Sequence, residues 1–297
     1  MTITREMIRT AERAVASRCC DPAGIRSFLL SRHHPEGGFP GRGKSRELYY
    51  TQFALMSCRA LGLEGPLAKA GNYLRSFSNI ESLSLVDLCS LARCLALAKP
   101  VIPDATRTAI IDRIQDFRAG TGGFAAAAGE EHGTMYGCFM AMGALQDLEA
   151  DCSAVNIGEC IDSLQLEGGG YANDAKTAVP TTPTTAAAIV LMLRLGREVP
   201  GQTSAWLADR ICPDGGFAAA TFSPSADLLS TAVSLLALRL SGSGLPPENA
   251  EACLRYALSL LRENGGFAGS LDDPEADVEY TFYGLLAIGS LVQTHGQ

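Results

Sequence analysis

The chain has 297 residues, of which 47% are hydrophobic, so it can bury a large core, and disorder is excluded as its main state. Its 24 Lys and Arg stand against 32 Asp and Glu, which gives a formal net charge of −8. The basic residues do not cluster into the stripe that binding to a phosphate backbone requires. This distribution argues against nucleic acid as a partner.

The sequence predicts no export signal and no membrane span. The N-terminal residues Met1–Glu6 lack the apolar core of a signal peptide. The longest unbroken apolar run, Ala186–Leu193, is far shorter than the roughly 20 residues of a transmembrane helix. Ten cysteines occur without a CxxC motif, which is typical of buried thiols in a reducing compartment. We therefore expect a cytoplasmic protein with no transmembrane segment.

A Gly-Gly-aromatic triplet recurs along the chain and is the strongest pattern in the sequence. Successive triplets are spaced by 85, 47, 46 and 50 residues, so the first interval contains one further, degenerate repeat. The triplets are Gly37-Gly38-Phe39, Gly122-Gly123-Phe124, Gly169-Gly170-Tyr171, Gly215-Gly216-Phe217 and Gly265-Gly266-Phe267.

Each repeat predicts two helices of different character. The stretch before a triplet, such as residues 250–261, is amphipathic, with apolar positions three and four apart. The segment after it is apolar on every side, as in Ala186–Leu193, which is typical of a buried helix. Six buried helices are predicted to begin near residues 51, 87, 135, 185, 231 and 281.

Six such pairs predict an all-α fold, an α6/α6 barrel or toroid, formed as a single domain over residues 1–297. The glycines are expected to turn each outer helix into an inner one, because glycine accepts positive φ and close approach. The N-termini of the inner helices then meet at one mouth, where unsatisfied N–H groups attract an anion. The apolar interior fits a long hydrocarbon with an anionic head better than a sugar.

Over nearly the whole chain the repeats resemble those of protein prenyltransferase β subunits and of squalene and terpene cyclases. Residues 38–51, GFPGRGKSRELYYT, are similar to the prenyltransferase segment that carries a zinc-binding histidine. Tyr50 stands at the position of that histidine, and Asp277 and Glu279 stand where the family has an Asp-x-Cys pair. Because tyrosine is a poor zinc ligand, zinc is not expected, whereas magnesium bound with a diphosphate stays open.

The prenyltransferase resemblance implies an enzyme that binds a prenyl diphosphate or another isoprenoid and transfers the prenyl group. It also implies an α-subunit-like protein as a partner. The diphosphate would meet Tyr50 and the cations of the preceding loop, with further tyrosines lining the cavity. The cations are Arg42, Lys44 and Arg46, and the tyrosines are Tyr49, Tyr280 and Tyr283.

The cyclase resemblance implies a different role for residues 277–281. Class II terpene cyclases carry Asp-x-Asp-Asp-Thr at the start of an inner helix, and its middle acid protonates an alkene or epoxide. Glu279 holds that middle position, with Asp277 two residues before it. An apolar cavity and a neighbouring carboxylate raise the pKa of a carboxyl group, as a general acid requires. Two features count against this interpretation: Tyr280 replaces the last Asp, and Trp and Phe are few on the inner helices.

The same residues also allow a third hypothesis, in which the chain is not an enzyme. Asp277 and Glu279 stand where carboxylates commonly cap a helix, the cations of residues 42–46 fit a solvated loop, and the tyrosines fit a packed core. The chain would then be a non-catalytic lipid-binding or scaffolding member of the fold.

Overall fold

The computed structural model describes residues 1–151, 156–177 and 179–292. These ranges hold thirteen α-helices, a 3₁₀ turn at Ile80–Ser82 and four strands of two residues each. Helix α1 spans Ile3–Ser17. The outer helices are α2 (Pro22–Arg32), α4 (Glu64–Leu74), α6 (Asp104–Gln115), α8 (Ile157–Ser163), α10 (Gly201–Ala208) and α12 (Pro247–Ser259). The inner helices are α3 (Leu48–Leu61), α5 (Leu85–Ala98), α7 (Met135–Asp147), α9 (Thr182–Arg194), α11 (Leu228–Leu240) and α13 (Val278–Leu291).

The inner helices form a closed ring in chain order. Each packs on the next from α3 to α13, and α13 packs on α3 to complete the circle. The outer helices lie against them, as α4 does on α3 and α5. The predicted all-α toroid of six helix pairs is confirmed.

Burial follows the difference in character between the two rings. In the inner helix α9, Ile189 is fully buried along with most of its neighbours. The outer helix α12 buries Tyr256 on one face, while Arg255 and Glu251 form an exposed ion pair of 2.8 Å on the other. The alternation of amphipathic and apolar segments therefore assigned the rings correctly.

The Gly-Gly-aromatic triplets join neighbouring repeats. Gly265 has a φ of +88°, and a Cβ placed on it would lie 2.2 Å from the carbonyl oxygen of Gly24 in α2. Only glycine avoids both the strain and the collision. Because this contact runs from the sixth repeat to the first outer helix, it helps to close the ring.

A hydrogen bond explains why the inner helices begin earlier than predicted. The N–H of Phe267 donates to Thr281 Oγ1 at 3.1 Å, and the same bond recurs at Thr51, Thr185 and Thr231. The threonine is thus an acceptor within the first turn, and four helices begin three residues before it, at 48, 182, 228 and 278.

The other two inner helices, α7 and α5, begin without such a threonine. Helix α7 begins at Met135 as predicted, and Cys138 takes the place of the threonine, with its sulfur accepting the Phe124 N–H at 3.4 Å. Helix α5 begins at Leu85 rather than at residue 87, since Ser84 caps it by accepting the N–H of Asp87.

Two short antiparallel pairs were not predicted. Strand β1 (Phe217–Ala218) pairs with β2 (Ala226–Asp227), and β3 (Phe267–Ala268) pairs with β4 (Ala276–Asp277). Each links a triplet to the start of the next inner helix. The pairing of Phe267 with Asp277 fixes where α13 begins, and with it the position of the candidate acids.

Helix α1 was also not anticipated, and it closes one end of the ring. It packs on α13 and α3, and it also contacts α7. Glu6 accepts a hydrogen bond of 3.1 Å from Arg239 near the end of α11, and Thr4 donates one of 2.5 Å to Asp147 at the end of α7. Helix α1 therefore covers the end of the ring opposite to the mouth.

Two further findings concern the sequence as a whole. Within the described ranges, no helix combines the length and apolarity needed to cross a bilayer. Of the nine described cysteines, Cys19 is exposed, Cys212 is partly buried and the rest are buried, in agreement with the prediction of buried thiols. Cys152 lies outside the described residues.

Candidate active site

A cavity of about 200 Å³ lies inside the ring of inner helices. Helices α9 and α11 supply aliphatic side chains to its wall, and Met7 of α1 contributes from the floor. The rest of the wall is largely aromatic. The sequence indicated that Trp and Phe are scarce on the inner helices, and tyrosines make up much of this aromatic lining instead. The aromatic side chains are Tyr49, Phe53, Tyr136, Phe139 and Tyr283.

The inner helices run parallel, so the position of a residue along its helix determines how deep its side chain lies in the cavity. Tyr49, Tyr136 and Leu229 are each the second residue of their helix, as Glu279 is in α13. Arg93 and Val190 are each the ninth residue. Seven residues of helix rise by about 10 Å, so the first set lies near the mouth and the second lies deep in the barrel.

Asp277 caps α13 and also forms an ion pair. One carboxylate oxygen accepts the N–H of Tyr280 at 2.9 Å, and the other accepts from Arg42 Nε at 2.9 Å. Asp277 is 1% exposed, so this charge is held in the protein rather than in water. The helix-cap interpretation is therefore correct for Asp277, and the cap is at the same time the buried partner of Arg42.

Arg42 contacts two acidic side chains and one aromatic ring. Its guanidinium bonds Asp273 as well as Asp277, and it lies over the Tyr280 ring at 5.6 Å. These acidic partners raise the pKa of Arg42, with the hydrogen bond to Asp273 as the largest cause. Two carboxylates therefore already balance this cation.

The other two predicted cations face different surroundings. Arg46 donates to the Gly37 carbonyl at 3.1 Å and lies over the Tyr73 ring at 5.0 Å. Lys44 is exposed in the loop. The structure thus directs Arg42 and Arg46 to separate partners, and a diphosphate site formed by residues 42–46 stays a prediction.

Glu279 is a buried carboxyl group with an aromatic partner. It is 8% exposed, and its Oε1 accepts a hydrogen bond of 2.6 Å from the Tyr49 hydroxyl. Burial, reinforced by the negative charge of Asp277, raises the pKa of Glu279 from 4.5 to about 7. The Tyr49 hydrogen bond and Arg42 oppose that rise without cancelling it. Near neutral pH the group is therefore partly protonated, as a general acid must be.

Tyr49 links this acid to the cavity. Its ring lies in the cavity wall, 5.2 Å from Phe53 and 5.4 Å from Tyr50 between ring centroids. Burial raises the pKa of Tyr49, so the phenol stays protonated and acts as a donor. Because Oε1 of Glu279 accepts this hydrogen bond, the proton of the neutral acid lies on Oε2. Tyr49 thereby orients the acid.

The remaining predicted tyrosines divide into two groups. Tyr283 is buried and lines the cavity beside Phe53, at a ring distance of 5.3 Å. Tyr50 and Tyr280 instead pack at the mouth, against Gly41 and Gly269, where an added Cβ would lie 2.3 Å and 2.6 Å from the rings. Burial raises the pKa of Tyr50, and that of Tyr280 to about 12.

The residues at the family's zinc positions do not fit a zinc ion. Asp277 is bound to Arg42, Glu279 accepts from Tyr49, and Tyr50 offers a phenol whose pKa is raised. In the part of the chain that the structure describes, no three His, Cys, Asp or Glu side chains converge as ligands.

Sequence reasoning missed Arg93. It is 2% exposed in the apolar helix α5 and lines the cavity, where it donates to Gln52 Oε1 at 3.0 Å and to Asp147 Oδ2 at 3.4 Å. The only charge between Leu88 and Ala98 is the signal that could have identified it, since buried charges need partners.

Fold and cavity together define a helical toroid with an apolar, partly aromatic centre. The family model described as the prenyltransferase alpha-alpha toroid domain matches residues 75–198 and 184–296. The chain therefore belongs to the prenyltransferase alpha-alpha toroid family, which confirms the resemblance seen in the repeats. A comparison with curated proteins by sequence finds no match.

Solved structures show the same fold at low identity. The type II terpene cyclase MstE from Scytonema, in complex with geranylgeranyl dihydroxybenzoate, has a TM-score of 0.63 and 15% identity, covering 97% of each chain. Candida albicans protein geranylgeranyltransferase-I complexed with GGPP has a TM-score of 0.58 and 16% identity, covering 82% of this chain and 83% of that one. The GH76A alpha-1,6-mannanase from Salegentibacter scores 0.61 at 13% identity, covering 91% and 97%. Since these enzymes differ in chemistry, the site rather than the fold must indicate function.

Proposed function

We propose that this protein is an isoprenoid cyclase in which Glu279 supplies the initiating proton. The observation that carries the proposal is the buried Glu279 carboxyl group, with its raised pKa, which is held by Tyr49, a residue of the apolar cavity wall. The neighbouring Asp277 is instead paired with Arg42. Two carboxyl groups in different surroundings are thus fitted to different roles.

The proton of Glu279 adds to the terminal double bond of the substrate. The O–H bond of the acid breaks, the π electrons form the new C–H bond, and a tertiary carbocation results. A neighbouring double bond then attacks this cation and closes a ring. Loss of a proton from the final cation balances the reaction, which is an isomerisation that needs no co-reactant.

The aromatic side of the cavity supports this chemistry. Tyr49, the partner of the acid, lines the cavity together with Phe53 and Tyr283, and the faces of such rings attract a cation. The rest of the wall is aliphatic, which suits a hydrocarbon chain and excludes water that would capture the cation early. The solved cyclase that shares this fold is complexed with a geranylgeranyl compound.

Prenyl transfer to a protein, the first expectation from the sequence, receives less support. It relies on a thiol-activating zinc, and Tyr50, Asp277 and Glu279 do not fit that ion. It also relies on cations that bind a diphosphate, and Arg42 is already paired with two carboxylates. The α-subunit-like partner belongs to that interpretation.

The test is turnover of geranylgeraniol and related isoprenoids, analysed for cyclic isomers by gas chromatography with mass spectrometry. Glu279→Gln should lower the rate by about 10²–10⁴-fold, the usual contribution of a general acid, because glutamine cannot give up a proton. Glu263→Gln, which changes an exposed carboxyl in a loop, is the matched control and should keep the wild-type rate. Equal rates in the two variants, or no cyclic product from the wild type, would refute the proposal.

A further inference from the structure

Arg93 leaves a hydrogen-bond donor unused inside the cavity. Its Nη1 donates to Gln52 and its Nε to Asp147, but its buried Nη2 has no hydrogen-bond partner within the described ranges. The Nε2 of Gln52 is likewise buried and unpartnered there. Buried donors are nearly always satisfied, so two adjacent ones indicate that an acceptor is missing.

The side chain of Arg93 belongs to the cavity wall. Arg93 is the one charged side chain among the described residues that line the cavity. Across from it, α7 has a glycine at the same depth, and a Cβ on Gly143 would lie 2.7 Å from Nη2. A larger residue at Gly143 would therefore crowd the guanidinium. Glycine at this position lets the guanidinium pack against the backbone of α7.

The charges already present suit a compact anion. Asp147 partly balances Arg93, and Asp147 itself accepts a hydrogen bond from Thr4 of the floor helix α1. Two unpartnered donor nitrogens match the two oxygens of one carboxylate, which guanidinium binds well. A diphosphate would need several more cations, and those of residues 42–46 lie at the mouth.

We propose that Arg93 and Gln52 form a head-group subsite that binds the carboxylate of an isoprenoid acid. This inference rests on the proposed function and makes it more specific. The head group would lie deep in the barrel, and the double bond furthest from it would lie near Glu279, about 10 Å nearer the mouth along the helices. That orientation is the reverse of the one expected for a diphosphate at the mouth.

Competition binding followed by native mass spectrometry tests the subsite without requiring turnover. Geranylgeranoic acid and geranylgeraniol share one hydrocarbon chain and differ at the head, and geranylgeranyl diphosphate is the third probe. We expect the wild type to bind the acid at least tenfold more tightly than the alcohol and more tightly than the diphosphate. Equal affinity for acid and alcohol, or preference for the diphosphate, would overturn the subsite while leaving an isoprenoid site in place. Binding of none of the three would overturn the proposed function as well.

Gln52→Glu is the informative variant. It keeps an acceptor for Arg93 Nη1, removes the free amide donor and adds a negative charge that repels a carboxylate. Affinity for the acid should fall at least tenfold, and affinity for the alcohol should change less than twofold. Gln165→Glu makes the same charge change at an exposed position and should leave both affinities unchanged. Parallel loss of acid and alcohol binding in a folded Gln52→Glu protein would show that Gln52 only supports the wall.

A second variant covers the case in which Gln52→Glu does not fold. Gly143→Ala retains every charged group and places a methyl group against Nη2. It should lower the preference for the acid over the alcohol at least fivefold. An unchanged preference would show that Nη2 does not contact the head group.

Discussion

Glu279 shows how one buried carboxyl group acquires properties that its residue type lacks in water. It differs from Asp277, two residues earlier, mainly in its partner: Asp277 faces the cation of Arg42, whereas Glu279 faces the neutral hydroxyl of Tyr49. A cation favours the ionised form of an acid, and burial without one favours the neutral form. The proposed function uses this difference, with Glu279 as the proton donor and Asp277 as the partner of Arg42.

The first prediction at this scale concerns the pH dependence of turnover. Because Glu279 acts only when protonated, activity should fall as pH rises through about 7. Tyr49→Phe removes a hydrogen bond that lowers the pKa of Glu279, so the descending limb should move to higher pH. The maximal rate should also fall, since the acid loses its orientation. Rate–pH profiles of both proteins would show this, and a limb that moved to lower pH would contradict it.

A second prediction concerns stability. The folded-state pKa of Glu279, about 7, lies above the ordinary value of 4.5, so the native protein retains a proton that the unfolded chain releases. The resulting stabilisation is fully present below pH 4.5 and is lost as pH rises towards 7, by up to about 1.4 kcal/mol per pH unit. Urea unfolding of the wild type and Glu279→Gln across this range should differ by that slope. Parallel curves would show that Glu279 has an ordinary pKa.

Among the elements, α1 illustrates a packing arrangement that depends on one small residue. A Cβ placed on Gly289 of α13 would lie 1.8 Å from the carbonyl oxygen of Thr10 in α1, so the two helices approach as closely as backbones allow. Because α1 lies so close to α13, its residue Met7 forms part of the cavity wall. The floor of the site thus depends on a glycine in the last inner helix.

Gly289→Ala should therefore displace α1 rather than disrupt the ring. We expect a loss of about 1–3 kcal/mol in unfolding free energy, as for other overpacked sites, together with faster proteolytic cleavage within the first 20 residues. Gly244→Ala is the control, because that glycine has open space around it and should leave stability and cleavage unchanged. Cleavage rates that stay equal in the two variants would show that α1 docks independently of this contact.

The whole molecule is a ring, and closure gives it properties that no single repeat has. Asp277 meets Arg42 across 235 positions, and Glu279 meets Tyr49 across 230, because the sixth repeat packs on the first. A linear array of the same repeats would leave these groups apart. The candidate site is therefore a consequence of having enough repeats to complete the circle.

The sequence by itself determined the toroid and the assignment of inner and outer helices. The sequence predicts these features because they recur in each repeat. They depend on short local patterns, the Gly-Gly-aromatic triplets and the apolar runs. The sequence also singled out the threonines at 51, 185, 231 and 281, as the first residues of the inner helices. In the structure each lies within the first turn, where its hydroxyl accepts a backbone N–H.

Only the tertiary structure decided the chemistry of the site. The Tyr49 hydrogen bond to Glu279, the pairing of Arg42 with Asp277, the unused donor of Arg93 and the floor formed by α1 all join residues far apart in the chain. Charge, burial and hydrogen bonding at a site depend on distances that a repeat pattern does not contain. For this reason the sequence indicated which acids to consider, and the packing of the ring decided the partner of each acid.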